Sequence, residues 1–141
     1  MLRLEIEMGL MEGSLEVKDL PEIWNSKMQD YLGVTPPNDA LGVLQDVHWS
    51  GGMIGYFSTY ALGNLASVQL WDKMVAENPS IPDEIAQGKF DTILGWMNEH
   101  IHQYGAKYEP QELMVKATGS KLTPEPYINY LKTKYGEIYG L

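Results

Sequence analysis

Apolar positions recur along the chain at mostly helical spacing, and glycines and prolines cut them into segments one helix long. The opening segment is the exception. Leu2, Leu4, Ile6, Met8 and Leu10 alternate with other residues, which by periodicity alone suggests a strand. Leu2, Ile6 and Leu10 also stack one turn apart, and Leu, Met and Glu favour helix, so the segment is read as a helix ended by Gly13. Asp19 is placed to cap a second helix with Leu20, Ile23, Trp24, Met28 and Tyr31 on its apolar side, closed by Gly33. The paired prolines of VTPPNDA then force an extended connection.

A helix from about Thr59 to Glu77 follows, expected to bury Leu62, Leu65, Ala66, Gln69 and Leu70. Pro79 and Pro82 break the chain, and Pro82-Asp83-Glu84 suits the first turn of another helix. Phe90, Ile93, Leu94, Met97 and Ile101 form the next stripe, stopping before Gly105. Pro110 opens a short helix that ends at Gly119, and Thr123-Pro124-Glu125 opens the last, with Ile128, Leu131, Tyr135 and Ile138 on one face. The expected architecture is all-α: one domain over residues 1–141, about six helices around a buried central helix, with one irregular glycine-rich loop.

From Trp49 to Trp71 there is no charged residue, a length sufficient to cross a bilayer core of about 30 Å. Ser50, Ser58, Thr59, Asn64, Ser67 and Gln69 interrupt the run, together with Gly51, Gly52, Gly55 and Gly63. Desolvating those polar groups in lipid is costly, so the segment is expected to be surrounded by protein, and no membrane partner is expected.

Composition changes this picture little, but charge narrows it. The formal net charge is −9, Lys and Arg total 10, and Arg3 is the only arginine, so a nucleic-acid surface is not expected. The absence of cysteine excludes disulfides and thiolate metal sites and fits a reducing cytoplasm. The first twelve residues carry Glu5, Glu7 and Glu12, unlike the basic and apolar start of an export signal.

Of the chemistries available, a metal site is the simplest to test. The three histidines are His48, His100 and His102. Glu99-His100-Ile101-His102 is not His-Glu-x-x-His, and side chains two apart on a helix point about 200° from each other. His100 and His102 are therefore expected to be surface helix residues. No serine lies in a Gly-x-Ser-x-Gly elbow, and Gly51-Gly52-Met53-Ile54-Gly55 matches no phosphate or dinucleotide loop.

That leaves Gly42–Trp49, GVLQDVHW, where Gln45, Asp46, His48 and Trp49 place an amide, a carboxylate, an imidazole and a large aromatic within five residues. In an extended segment Asp46 and His48 share a face, so the carboxylate can orient the imidazole. The glycines that follow permit close backbone approach, and Tyr56 supplies a hydroxyl suited to a developing oxyanion. On residue chemistry alone two arrangements fit: a site of this kind, or a buried Trp with a satisfied core His capped by Asp.

These residues also carry a resemblance. Gly42-x-x-Gln45-Asp46-x-His48-Trp49 resembles the signature of carboxypeptidase Taq-type metallocarboxypeptidases, and GYFSTYALGNL is similar to that family's GYFPTYTLGNL, with Ser58 in place of Pro. LRLEIEMGLMEGSLEVKDLPEIWN, YLGVTPPNDALG, WMNEHIHQYGAKYEPQEL and YINYLKTKYGEIYGL extend the likeness over essentially the whole chain.

The resemblance implies a mostly helical, cytoplasmic, homodimeric enzyme that removes single residues from peptide C-termini. It uses zinc or cobalt held by His-Glu-x-x-His and a further Glu. Those ligands lie upstream of the matched region, so this chain is expected to bind no metal and to be inactive without the missing N-terminal part. Within the chain the resemblance points to Tyr56 and His48 as catalytic. It points to Arg3, Gln45, Asp46 and Trp49 as substrate-binding, with Gln45 and Asp46 mainly shaping the loop. Arg3 is the candidate for the substrate carboxylate; the alternative is a surface pair with Glu7 one turn away. The competing functional class is a stand-alone helical module that binds a partner or completes an assembly.

Overall fold

Helix is the outcome for the ambiguous opening segment, because it lets Leu2, Ile6 and Leu10 share one buried side. The computed structural model describes residues 1–141, all helical or irregular, with no strand. Its contacts fall into two compact units, Met1–Ala61 and Leu62–Leu141.

In the first unit, α1 (Leu2–Glu12) ends on Gly13 and α2 (Leu20–Leu32) on Gly33, both left-handed at φ 74° and 67°. Ile6, Trp24 and Val43 form the buried core, with Leu2, Leu10, Leu20, Ile23, Met28 and Trp49 packed around them. Asp19 occupies the cap position of α2, but its side chain makes no capping bond. It closes a 3-10 turn, Val17–Asp19, so its backbone is already helical at φ −92°, ψ −4°. An N-cap side chain needs the extended conformation to reach back over the first turn.

The GVLQDVHW segment and its flanks form a chain of short 3-10 turns, Asp39–Leu41, Val43–Gln45 and Trp49–Gly51, rather than an extended strand. It leads into α3 (Phe57–Glu77), which starts two residues before the expected Thr59. The expectation that α3 is buried on all sides is not met. Leu62 is 47% exposed, Ala61, Gly63, Asn64 and Trp71 are exposed, and Leu65, Ala66 and Leu70 are half-buried, so much of its uncharged surface is bare in this chain. No helix is long and apolar enough to cross a membrane.

The second unit continues through α4 (Ile81–Ala86), α5 (Asp91–His100), α6 (Pro110–Thr118) and α7 (Glu125–Tyr139). Its core is Met74, Ile81, Trp96 and Ala117, ringed by Leu70, Val75, Ile85, Ile93, Met97 and Ile101. On α5 the buried residue is Trp96, whereas Phe90 and Leu94 of the expected stripe are 57% and 55% exposed. Ile93, Trp96 and Met97 lie on the side that meets the core, and Leu94 is turned off it. The apolar face expected on α7 is largely uncovered: Ile128, Tyr135 and Ile138 are all exposed.

Gln69 is the polar tie of this unit. Buried on α3, it donates from Nε2 to the Thr118 and Ser120 hydroxyls and to the Lys121 carbonyl, and its Oε1 accepts from the Thr123 N–H at 3.2 Å. One side chain thus holds the loop between α6 and α7.

Candidate functional site

Asp46 is the hub of the GVLQDVHW segment, and its side chain is fully buried. Its Oδ1 accepts the backbone N–H groups of His48 at 3.0 Å and Trp49 at 3.1 Å, the local turn favoured by a short carboxylate two or three residues upstream. Its Oδ2 lies 3.1 Å from His48 Nδ1 and 2.9 Å from Arg3 Nε. Burial pushes the Asp46 carboxyl up, but the Trp49 N–H, the His48 ring and the His48 N–H outweigh it and hold the group below its ordinary value.

The expected contact of Asp46 with His48 is therefore present, made by a turn instead of an extended strand. The alternative expectation for Arg3 is corrected. Its partner is Asp46, not Glu7, and its guanidinium lies 5.2 Å from the Trp24 ring centroid. The Nε contact is an ion pair without hydrogen-bond alignment.

His48 is bound at both ring nitrogens, with Nε2 3.1 Å from the Tyr60 hydroxyl. A carboxylate only accepts, so Nδ1 carries the proton; in the neutral ring Nε2 accepts from Tyr60. The result is a row Arg3, Asp46, His48, Tyr60 running from α1 across the loop to α3. Around it, His48 stacks on Tyr56 with centroids 5.8 Å apart, meets Phe57 edge-on at 4.8 Å, and Tyr56 meets Tyr60 at 5.4 Å. Tyr56 is 45% exposed and Tyr60 55% exposed, so the outer edge of the cluster faces outward. Gln45 is exposed and turns its amide onto the Ala40 carbonyl, bracing the preceding turn.

Tyr60 is not among the residues the sequence points to, and Glu7 enters there only as a surface partner for Arg3. Tyr60 sits one turn beyond Tyr56 on α3, a spacing that could have suggested it. Glu7 is 3% exposed and accepts from Trp49 Nε1 at 3.1 Å and from the Gly55 N–H at 2.8 Å. Its only local signal was its place one residue after Ile6, the fully buried residue of α1.

A family model described as carboxypeptidase Taq (M32) metallopeptidase matches residues 1–135. The chain belongs to the carboxypeptidase Taq family. It is 43% identical over 140 residues to carboxypeptidase 1 of Bacillus subtilis and 42% identical over 140 residues to thermostable carboxypeptidase 1 of Thermus thermophilus. It covers 99% of its own length and 28% of theirs in both cases. Among solved structures, it superposes on the M32 carboxypeptidase of Deinococcus radiodurans with a TM-score of 0.93 at 40% identity, over 99% of this chain and 28% of that one. It superposes on metallocarboxypeptidase 1 of Trypanosoma cruzi with a TM-score of 0.90 at 44% identity, over 95% of this chain and 28% of that one.

Carboxypeptidase Taq enzymes are metallopeptidases, but the donors of this chain do not fit a metal ion. Both His48 nitrogens are engaged, His100 is stacked on Trp96 at 4.2 Å with Nδ1 against the Trp96 carbonyl, and His102 Nδ1 lies against Asn98. His100 is thus half-buried, a correction to its expected place on the surface. No group of three or more His, Cys, Asp or Glu side chains is gathered to hold an ion.

Proposed function

We propose that this chain forms part of the substrate-side wall of a metal-dependent carboxypeptidase that removes single residues from peptide C-termini. The observation that carries this reading is the row Arg3, Asp46, His48, Tyr60 with Tyr56 stacked beside it, in a chain of carboxypeptidase Taq type. Asp46 engages Arg3 only through Nε, so the terminal guanidinium nitrogens are the groups for a bidentate grip on the free carboxylate.

The Tyr56 hydroxyl, on an exposed ring, donates to the oxyanion that develops at the scissile carbonyl. His48, kept in one tautomer by Asp46, is a donor and shaping group on the same side, and Trp49 forms the wall behind it. Gln45 and Asp46 act by keeping the loop in this shape. The ion, zinc or cobalt, and the residues that bind it come from outside these 141 residues. Leu41, Leu44, Val47 and Ile54, each more than half exposed, are the surface we assign to the rest of the family domain, with a homodimer as the working assembly in a reducing cytoplasm.

Two experiments test this. The purified chain, supplied with zinc or cobalt, is expected to release no amino acid from a peptide; EDTA-sensitive release would overturn that part. A chimera carrying this chain in place of the matched segment of the Bacillus subtilis relative is expected to hydrolyse peptides. In it, Arg3→Ala should weaken competition by free-carboxylate peptides much more than by amidated ones. Equal weakening would remove Arg3 from the carboxylate role.

A further inference from the structure

Glu7 is a carboxylate buried in α1 with no basic side chain bonded to it. A charge in that position is costly unless strong donors surround it. Its two donors both belong to the glycine loop, one at each end. Oε2 takes the Trp49 indole N–H at the start, and Oε1 takes the Gly55 N–H at the finish. Within the loop Gly52 and the closing Gly55 are left-handed, at φ 73° and 80°, and Met53 and Ile54 are 43% and 51% exposed. Such a loop has few side-chain contacts of its own to set its path.

Gly55 is followed directly by Tyr56, whose carbonyl accepts from the N–H and hydroxyl of Thr59 at the start of α3. Trp49 also rests edge-on against Phe57, the first residue of that helix, at 5.8 Å. The carboxylate is therefore bonded two residues before Phe57, the first residue of a 21-residue helix. The tie spans 48 residues of sequence and joins α1 to the backbone N–H of Gly55, the residue before Tyr56.

We propose that Glu7 is a positioning residue: by clamping both ends of the 49–55 loop it sets where the Tyr56 ring and hydroxyl stand. The clamp is a claim about this chain, and its catalytic consequence rests on the role proposed above for Tyr56. Glu7→Gln is the informative change. One amide oxygen can still accept from Gly55, but the NH2 group then confronts the Trp49 indole N–H, donor against donor.

The clamp is read in the chain itself by amide and indole hydrogen exchange. In Glu7→Ala and Glu7→Gln the Trp49 indole N–H is expected to exchange at least about ten-fold faster, with the Gly55 N–H also faster in Glu7→Ala. Unchanged exchange at both sites in Glu7→Ala overturns the clamp. In Glu7→Gln the Gly55 N–H keeps an acceptor, so its exchange should stay closer to the parent value than in Glu7→Ala; equal acceleration of Gly55 in both variants also counts against the clamp.

The catalytic consequence is read in the active chimera. Glu7→Gln should lower kcat by up to about 10²-fold with KM little changed, as expected for a misplaced catalytic group. Adding Glu7→Gln to Tyr56→Phe should cost nothing further, whereas an additive loss means that Glu7 does not act through Tyr56. If Tyr56→Phe alone leaves kcat unchanged, the role proposed for Tyr56 fails, while the exchange data still decide the clamp.

Discussion

Asp46 Oδ2 stands 3.1 Å from His48 Nδ1 while Asp46 Oδ1 accepts the His48 backbone N–H at 3.0 Å. The same carboxylate therefore shapes the backbone turn and orients the ring, so the two roles can be separated by substitution. Asp46→Asn retains an oxygen for the backbone N–H groups but removes the charge facing Arg3. Asp46→Ala removes the acceptor from two backbone donors as well. Asp46→Asn is expected to destabilise the chain by about 1–3 kcal/mol and Asp46→Ala by more, read as a shift in urea midpoint at unchanged slope. Equal losses would mean that the backbone turn contributes nothing.

Acid should reveal the same group. The Asp46 carboxyl is held below its ordinary value in the folded chain, so at moderately low pH the unfolded chain binds more protons. Its contribution is fully present above the unfolded value of about 3.9 and is lost as pH falls through the folded one. Urea midpoints measured from pH 6 down to pH 3 should fall, and the fall should be shallower in Asp46→Asn. A parallel fall in both would remove Asp46 from the acid response.

Glu5 offers a spectroscopic test of the contact between α1 and α2. Its Oε2 accepts from Lys27 Nζ and the Tyr31 hydroxyl, each at 2.6 Å, and the bond to Glu5 is the main reason that the Tyr31 hydroxyl is pushed above its ordinary value. Glu5→Gln removes the negative charge, so Tyr31 should ionise at lower pH, observed by NMR titration of the Tyr31 ring. An unmoved Tyr31 titration would show that the contact is absent in solution.

Gln69 should matter more than its polarity suggests. Gln69→Ala leaves the Thr123 N–H without its acceptor and leaves several loop groups unpaired, at a cost of about 1–3 kcal/mol. Gln69→Leu preserves apolar volume yet unpairs the same groups, so it should lose stability as well. Thermal unfolding showing Gln69→Leu at or above the parent Tm would overturn this.

Much of the fold is legible in the sequence, because its signals are local. Gly13, Gly33 and Gly119 end helices in the left-handed conformation that other residues resist, and Pro82 and Pro110 start them. Six or so helices were expected and seven α-helices are present. The GVLQDVHW residues could be singled out, and the Asp46–His48 contact anticipated, since their spacing of two brings the side chains together in either a strand or a tight turn.

Tertiary structure decided what no spacing encodes. Arg3 has Glu7 one turn away, yet its partner is Asp46, and Glu7 turns instead to Trp49 and Gly55, 42 and 48 residues downstream. An exposed helix pair contributes only about 0.3–0.5 kcal/mol, whereas a buried donor or acceptor left unpaired costs about 1–3 kcal/mol. The buried groups therefore dictate the pairing, and which groups are buried is known only once α1, the loop and the start of α3 have come together. The same reason explains α3 itself: its apolar composition could be read from the residues, but which of those positions this chain covers depends on what packs against them.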